Sequence, residues 1–454
     1  MSTSVTKSKL ELDRPLPLSG VAHLMLFSWC QILVYFDRGV VSGVLDYISK
    51  EVDGAQSKFQ AGLLGGMFMV GFMIAAPFFV RLAQRGRDWT IYSIVIGLGI
   101  LSLSAVATYF AANNFIALLL VRVVSGAGEA AFCSLAPPII DDSAPVGRKS
   151  LYVGLYFTFL YVGFGIGTGA CFLFDSWQSA RVLFLVEAAM IVPCIIVFIS
   201  LRARLSVPAP IKDDPEFSQG HGLVYQLKLV MVRPLFLLFS VGYGLFFFSF
   251  GGFAFWVPTV IKHQYPESAG VADLGFGAVT ILAGIAGTAL GGLLMDYTSR
   301  KLSKVDSVRV FGGALISSSF VFLGMLFTFP AILASNVYVF LLFFAIGTTL
   351  LFSITAPVNI AIMYSVPTAL KGQAMAVSTG LSHLIGDFPS PFVIGALIDA
   401  TGYRSAMLIT SALLVLPAGL WGTAAYVAKR SNPDVNGLPT KPPSERMEQT
   451  ETSV

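Results

Sequence analysis

Residues Val121 to Phe132 read "VRVVSGAGEAAF", with "NNFIALLL" before them and "CSLAPPII" after. In this greasy run an arginine, Arg122, and a glutamate, Glu129, stand seven residues apart. If the run crosses a membrane, both charges cost free energy in hydrocarbon and mark a functional position. Its surroundings decide whether it does.

The chain has 454 residues, 55% of them hydrophobic and 12% charged, with a mean hydropathy of +0.77. A soluble domain carries about 25% charged residues, so half the usual charge is missing. Apolar windows of the length a helix needs to cross hydrocarbon recur near 21–47, 59–81, 90–111, 114–138, 151–174, 180–201, 235–261, 274–297, 309–330, 337–362, 374–398 and 404–428. The chain reads as an all-α, integral multi-pass membrane protein with twelve transmembrane helices. Its polar first 18 residues are not a cleavable signal peptide. The net charge of +4 gives no argument for nucleic acid. Cys30, Cys133, Cys171 and Cys194 all fall in apolar windows, so no extracellular disulfide framework is implied. Four scattered histidines form no metal cluster. No cofactor is implied, and without a nucleophile–base constellation the chain is not read as an enzyme.

The longest polar insert separates six spans from six. The expected organisation is a cytoplasmic tail at 1–18, a bundle at 19–201, a linker at 202–233 containing "VPAPIKDDPEFSQGHG", a second bundle at 234–428, and a disordered tail at 429–454. With a cytoplasmic N-terminus, only Lys50, Lys58, Arg181, Lys262 and Arg404 fall on the far side, and only Arg38 and Arg122 within spans. The other lysines and arginines are cytoplasmic, which places both termini and the linker there. An internal repeat supports the division: "APPIIDDSAPVGRKSLYVGLYF" resembles "APVNIAIMYSVPTALKGQAMAV". Two pseudo-symmetric six-helix bundles with a substrate path at their interface describe the major facilitator architecture. "GGLLMDYTSRK" after span eight also matches that superfamily's G-x-x-x-D-x-x-x-R-K loop, with Asp296 and Arg300 as its charges. The matching loop after span two, "VRLAQRGRDW", keeps Arg85 and Arg87 but has Gln84 for the aspartate. That departure predicts a weaker charge latch in the first half.

The intramembrane charges are the candidate site. Asp37 and Arg38 lie in span one, Arg122 and Glu129 in span four, and His383 and Asp387 in span eleven. Arg122 and Glu129 share a helix face at a spacing of roughly 10 Å, too far to satisfy each other directly. Asp37 is the available group to stand between them, so both acids are expected to share Arg122. A structural ion pair is the plain alternative to a transport role. His383 and Asp387 are four residues apart and face each other. Glu187 in span six lies close enough to an end to reach water. "GFGIGTG" at 163–169 has no strand before it and reads as small-residue helix packing rather than a phosphate loop, as do Gly62 with Gly66 and Gly287 with Gly291. In "GYGLFFFSFGGFAFWVP" (242–258), glycines allow bending and phenylalanines offer an apolar wall. The tail "ETSV" has the form of a C-terminal ligand for a peptide-binding domain partner, against the plainer reading of a disordered polar end.

In "YFDRGVVSGVL", "RVVSGAGEAAFCSLAPPIIDD", "FWVPTVI", "FGAVTILAGIAGTALGGLLMD" and "IGDFPSPFVIGALID" the chain resembles the Spinster family of facilitators. The resemblance implies export of lysophospholipids or phosphorylated sphingoid bases, proton-coupled in several members. It makes Asp37 the first-helix acid, Arg122 and Glu129 the fourth-helix charged pair, and His383 and Asp387 the eleventh-helix segment. The expected partners are a lipid-like substrate, protons and membrane lipids. Members divide between endolysosomal and plasma membranes, and the sequence does not choose. A facilitator of small organic anions or amphiphilic drugs is the nearest rival reading. A non-transporting receptor or scaffold is a rival of another class, which the short cytoplasmic segments disfavour.

Overall fold

The computed structural model describes residues 18–111, 113–145, 148–205, 207, 223–301, 306–367 and 370–431. Twelve helices are long and apolar enough to span a bilayer: Gly20–Glu51, Lys58–Ala83, Arg87–Phe110, Phe115–Ser143, Leu151–Leu173, Trp177–Leu201, Pro234–Gln264, Gly270–Thr298, Arg309–Leu333, Val337–Tyr364, Lys371–Thr401 and Tyr403–Arg430. They are spans one to twelve below. There is no strand among the described residues.

Short polar residues between apolar windows start the helices, because the first turn's amide N–H groups have no partner within the helix. Ser19 Oγ accepts from the Ala22 amide at 3.2 Å and Asn114 Oδ1 from the Ala117 amide at 3.0 Å. Ser57 and Gln60 form a reciprocal capping box on span two, with both hydrogen bonds at 3.1 Å. Large apolar side chains such as Ile74, Leu103 and Leu293 point outward, as a surface facing lipid tails requires. Within the stretch read as the linker, Leu223–Met231 is a helix of nine residues.

Within the first half, span two packs on span four, span one on span five, and span three on spans four and six. Lipid offers no hydrophobic drive between helices, so close approach depends on small residues. The glycines expected to pack do so, except that nothing lies within 4 Å of a Cβ at Gly169. Gly163 and Gly167 of span five lie against the backbone of Ile32 and Phe36, and Gly62 of span two lies against Pro391 and Phe392 of span eleven. Gly287 and Gly291 face the backbone of Thr349 and Ser353.

The halves meet through spans one and seven, two and eleven, and five and eight. Hydrogen bonds between them gather at one end. Ser42 Oγ donates to the Ala254 carbonyl at 2.6 Å, and Lys262 Nζ to the Gly43 carbonyl at 2.8 Å. His263 Nε2 lies 2.9 Å from Asp46 Oδ1. Asp399 of span eleven accepts from the amides of Lys58 and Phe59, both at 2.9 Å, and so caps span two from the other half. These contacts close the bundle at this end, the one that the sequence reading expects to face away from the cytoplasm.

Candidate functional site

Asp37 and Arg38 are neighbours on span one, so their side chains leave the helix about 100° apart. Each meets a partner of opposite charge on span four. Arg122 Nη1 donates to both Asp37 carboxylate oxygens at 2.7 Å, and Ser125 Oγ adds a contact to Oδ2 at 3.4 Å. Arg38 grips Glu129 with both ends of its fork, Nη2 to Oε1 at 2.5 Å and Nε to Oε2 at 3.2 Å. The expectation that Asp37 and Glu129 share Arg122 is therefore corrected. Arg38, one residue from Asp37, supplies the second cation, and each acid has its own.

The two ion pairs sit in different surroundings. The Arg122 and Asp37 side chains are 4% and 2% exposed, whereas Arg38 is 22% exposed in mid-span while its partner Glu129 is fully covered. Aromatic rings frame both guanidinium groups. Arg38 lies 4.8 Å from the Tyr35 ring centre and 4.6 Å from that of Phe68, and Arg122 lies 4.9 Å from the Phe68 centre. A ring face attracts a cation through its quadrupole, so Phe68 stabilises both guanidinium groups.

Phe72, one turn along span two, also reaches Arg38, at 6.0 Å, and contacts the His383 ring edge-on at 5.4 Å in the other half. His383 Nδ1 lies 2.8 Å from Asp387 Oδ2, as their spacing predicts. Both belong to a π-helical turn, His383–Asp387, that interrupts span eleven. Such a turn often marks a functional site because it re-aims side chains at little cost. Glycines bring span seven against this turn: a Cβ at Gly251 would stand 3.0 Å from Asp387 Oδ1, and one at Gly386 would stand 2.6 Å from the Gly244 carbonyl oxygen. These are the glycines of the aromatic run, whose Phe250 continues through Phe352 to Tyr161 with ring centres 4.9 and 4.3 Å apart. His383 and Asp387 are 21% and 18% exposed. Arg38 of the first half and His383 and Asp387 of the second are thus partly exposed polar groups within their spans.

Among the described residues, no contact joins the loop residues Arg85, Arg87 and Asp296. Arg87 Nη2 donates to the carbonyls of Arg202 at 3.0 Å and Leu205 at 2.8 Å, which ties the end of span six to the start of span three. Arg85 lies 5.7 Å from the Trp89 ring. Asp296 is exposed, and the side chain of Arg300 lies outside the described residues, as does the "ETSV" tail. Glu187 is a correction: far from reaching water, it is 1% exposed.

Sequence reasoning missed the polar groups of the closed end, Asp46, His263, Asp273 and Asp399. Lys262 Nζ meets Asp273 at 2.8 Å, and Lys50 Nζ meets Asp46 at 2.6 Å. A signal was present. Lys50, Lys58 and Lys262 are among the few cations on a side where cations are scarce, and each is engaged at this end, Lys58 Nζ on Ser49 Oγ at 2.8 Å.

The Major Facilitator Superfamily profile matches residues 27–391. From Arabidopsis thaliana, the "Probable sphingolipid transporter spinster homolog 1" is 31% identical, the match covering 88% of either chain. Its "spinster homolog 3" is 29% identical, covering 92% of this chain and 89% of its own. Among solved structures, a bacterial homolog of the human lysosomal transporter Spinster, inward-facing and unoccupied, superposes with a TM-score of 0.75 at 18% identity, over 90% of this chain and 98% of that one. The fold, the charged spans and these relatives together place the chain in the spinster family of the Major Facilitator Superfamily, a family of transporters.

Proposed function

We propose that the chain is a secondary active transporter of a single-chain amphiphile with an anionic head group, of the lysophospholipid or sphingoid-phosphate class. It works by alternating access and is coupled to protons. The observation that carries this reading is Arg38, a mid-span guanidinium that is paired yet still 22% exposed. A phosphate suits its planar fork, and the aromatic side chains of spans two and seven offer the tail an apolar wall. Arg122 is covered and already holds Asp37, so the anchoring role falls to Arg38. Coupling follows from competition. A bound anion and the Glu129 carboxylate seek the same cation, and a proton on Glu129 releases Arg38 to the substrate.

The test is flux in reconstituted vesicles with a panel of lysophospholipids, sphingoid phosphates and small organic anions, with and without a pH gradient. Gradient-driven movement of the single-chain lipids is expected. Glu129→Gln, which imitates the protonated acid, is expected to exchange substrate and to lose the response to the gradient. Transport confined to the small anions would replace the lipid reading. Undiminished gradient response in the variant would remove Glu129 from coupling.

A further inference from the structure

Glu187 lies in span six, which packs on spans one and three. Neither of its carboxyl oxygens has a hydrogen-bond partner among the described residues, and both are covered. Its electrostatic neighbours are Asp37 of span one and Arg122 and Glu129 of span four. Span three brings no charge to this depth: its Arg87 and Asp88 stand in its first turn, and its Ser102 donates to the Ala188 carbonyl at 3.3 Å. Arg122 spends Nη1 on Asp37, while its Nε is covered and without a hydrogen-bond partner among the described residues. A covered acid and an idle donor of the same guanidinium thus occupy one electrostatic neighbourhood.

An unpaired carboxylate in such a place takes up a proton rather than stay charged. We propose that Glu187 is a third proton-exchanging carboxyl of the transport site, protonated while Asp37 holds Arg122 and the alternative partner of Arg122 once Asp37 is neutral. In the exchange, the O–H bond of Glu187 breaks, its proton forms an O–H bond on the Asp37 carboxylate, and the guanidinium turns its free Nε toward the new anion. The buried set keeps its net charge throughout. The result is that the ion pair of span four passes from span one to span six without ever leaving Arg122 bare. Span one thereby gives up one of its two ion pairs to span four and keeps the Arg38–Glu129 pair. The inference rests on the proposed proton coupling only for its use in transport, and not for the state of Glu187 itself.

Infrared spectroscopy of the purified protein, without substrate or gradient, tests that state. The wild type is expected to show a protonated-carboxyl band that is missing in Glu187→Gln. The same band is expected to vanish in Asp37→Asn, where Glu187 is still present but ionises to hold Arg122. A band indifferent to Glu187→Gln, or one that survives Asp37→Asn, overturns the proposal. Should Asp37→Asn fail to fold, Glu187→Gln, isosteric with the protonated acid, supplies a second readout. Its ratio of gradient-driven to equal-pH uptake is expected to fall to about one, because a fixed neutral group takes no part in proton linkage. A wild-type ratio overturns the assignment. If the wild type itself ignores a pH gradient, the coupling part of the proposed function fails, and the infrared bands still decide the role of Glu187.

Discussion

Arg38 is held by Glu129 through two nitrogens and framed by the rings of Tyr35, Phe68 and Phe72. Lysine offers one compact ammonium in place of this planar fork and stacks less well. Arg38→Lys is therefore expected to lower lipid-phosphate transport about 10- to 100-fold, the equivalent of one charge-assisted hydrogen bond at roughly 1.5–3 kcal/mol. Concentration-dependent uptake would measure it, and wild-type uptake would exclude Arg38 as the anchor. The charges themselves were legible in the sequence, since few residues carry charge inside an apolar window. Their pairing was not. The seven-residue spacing on span four shows that Arg122 and Glu129 cannot reach each other, but not which helix presents the partner. That depends on how span one is rotated, which its own apolar pattern does not record. The depth of Glu187 was misread for a similar reason: distance from a helix end along the chain says nothing about what packs over the side chain.

Helix positions were legible to within a few residues from the apolar windows alone, while the starts themselves are set by local chemistry, such as the capping serine or asparagine just before the apolar run. The breaks within spans were less so. Span eleven changes to a π turn at His383–Asp387 with Pro389 two residues beyond it, and span ten is interrupted between Val337–Phe352 and Thr355–Tyr364 with Pro357 just after the gap, signals that apolar windows alone do not register. Small-residue packing, by contrast, reads directly from spacing, and it makes a contrast between two glycines testable. A Cβ at Gly71 of span two would collide with the Val123 carbonyl of span four, whereas nothing lies within 4 Å of one at Gly99. Gly71→Ala is expected to destabilise the first half by about 1–3 kcal/mol, the usual cost of overpacking, and to lower the melting temperature in detergent. Gly99→Ala is expected to leave it unchanged or raised. Equal melting temperatures for the two variants would show that spans two and four separate without penalty.

Across the whole molecule, six spans and six, their pseudo-symmetry and the sidedness of their charge all followed from the sequence, because a bilayer imposes element length and loop charge together. Which end is closed did not follow. That depends on contacts between residues hundreds of positions apart, such as Asp399 with Lys58. If Asp399 holds the outer end shut by capping span two from the other half, its removal should shift the protein toward an outward-open arrangement. A helix N-cap contributes about 0.5–2 kcal/mol, so the open population in Asp399→Ala should rise roughly 2- to 30-fold. Ser42 is a suitable reporter, since it is fully covered at the junction of spans one and seven. In a Ser42→Cys background, an impermeant maleimide applied from the closed side should label Asp399→Ala faster than its parent by that factor. Asp46→Ala should act in the same direction by removing the only carboxylate within reach of His263 among the described residues. The two substitutions weaken separate contacts between the halves, so the double variant should label faster than either single one. Labelling that stays at the parent rate in all three would mean that backbone packing of spans two, five, eight and eleven holds the end shut by itself, with the polar contacts only following.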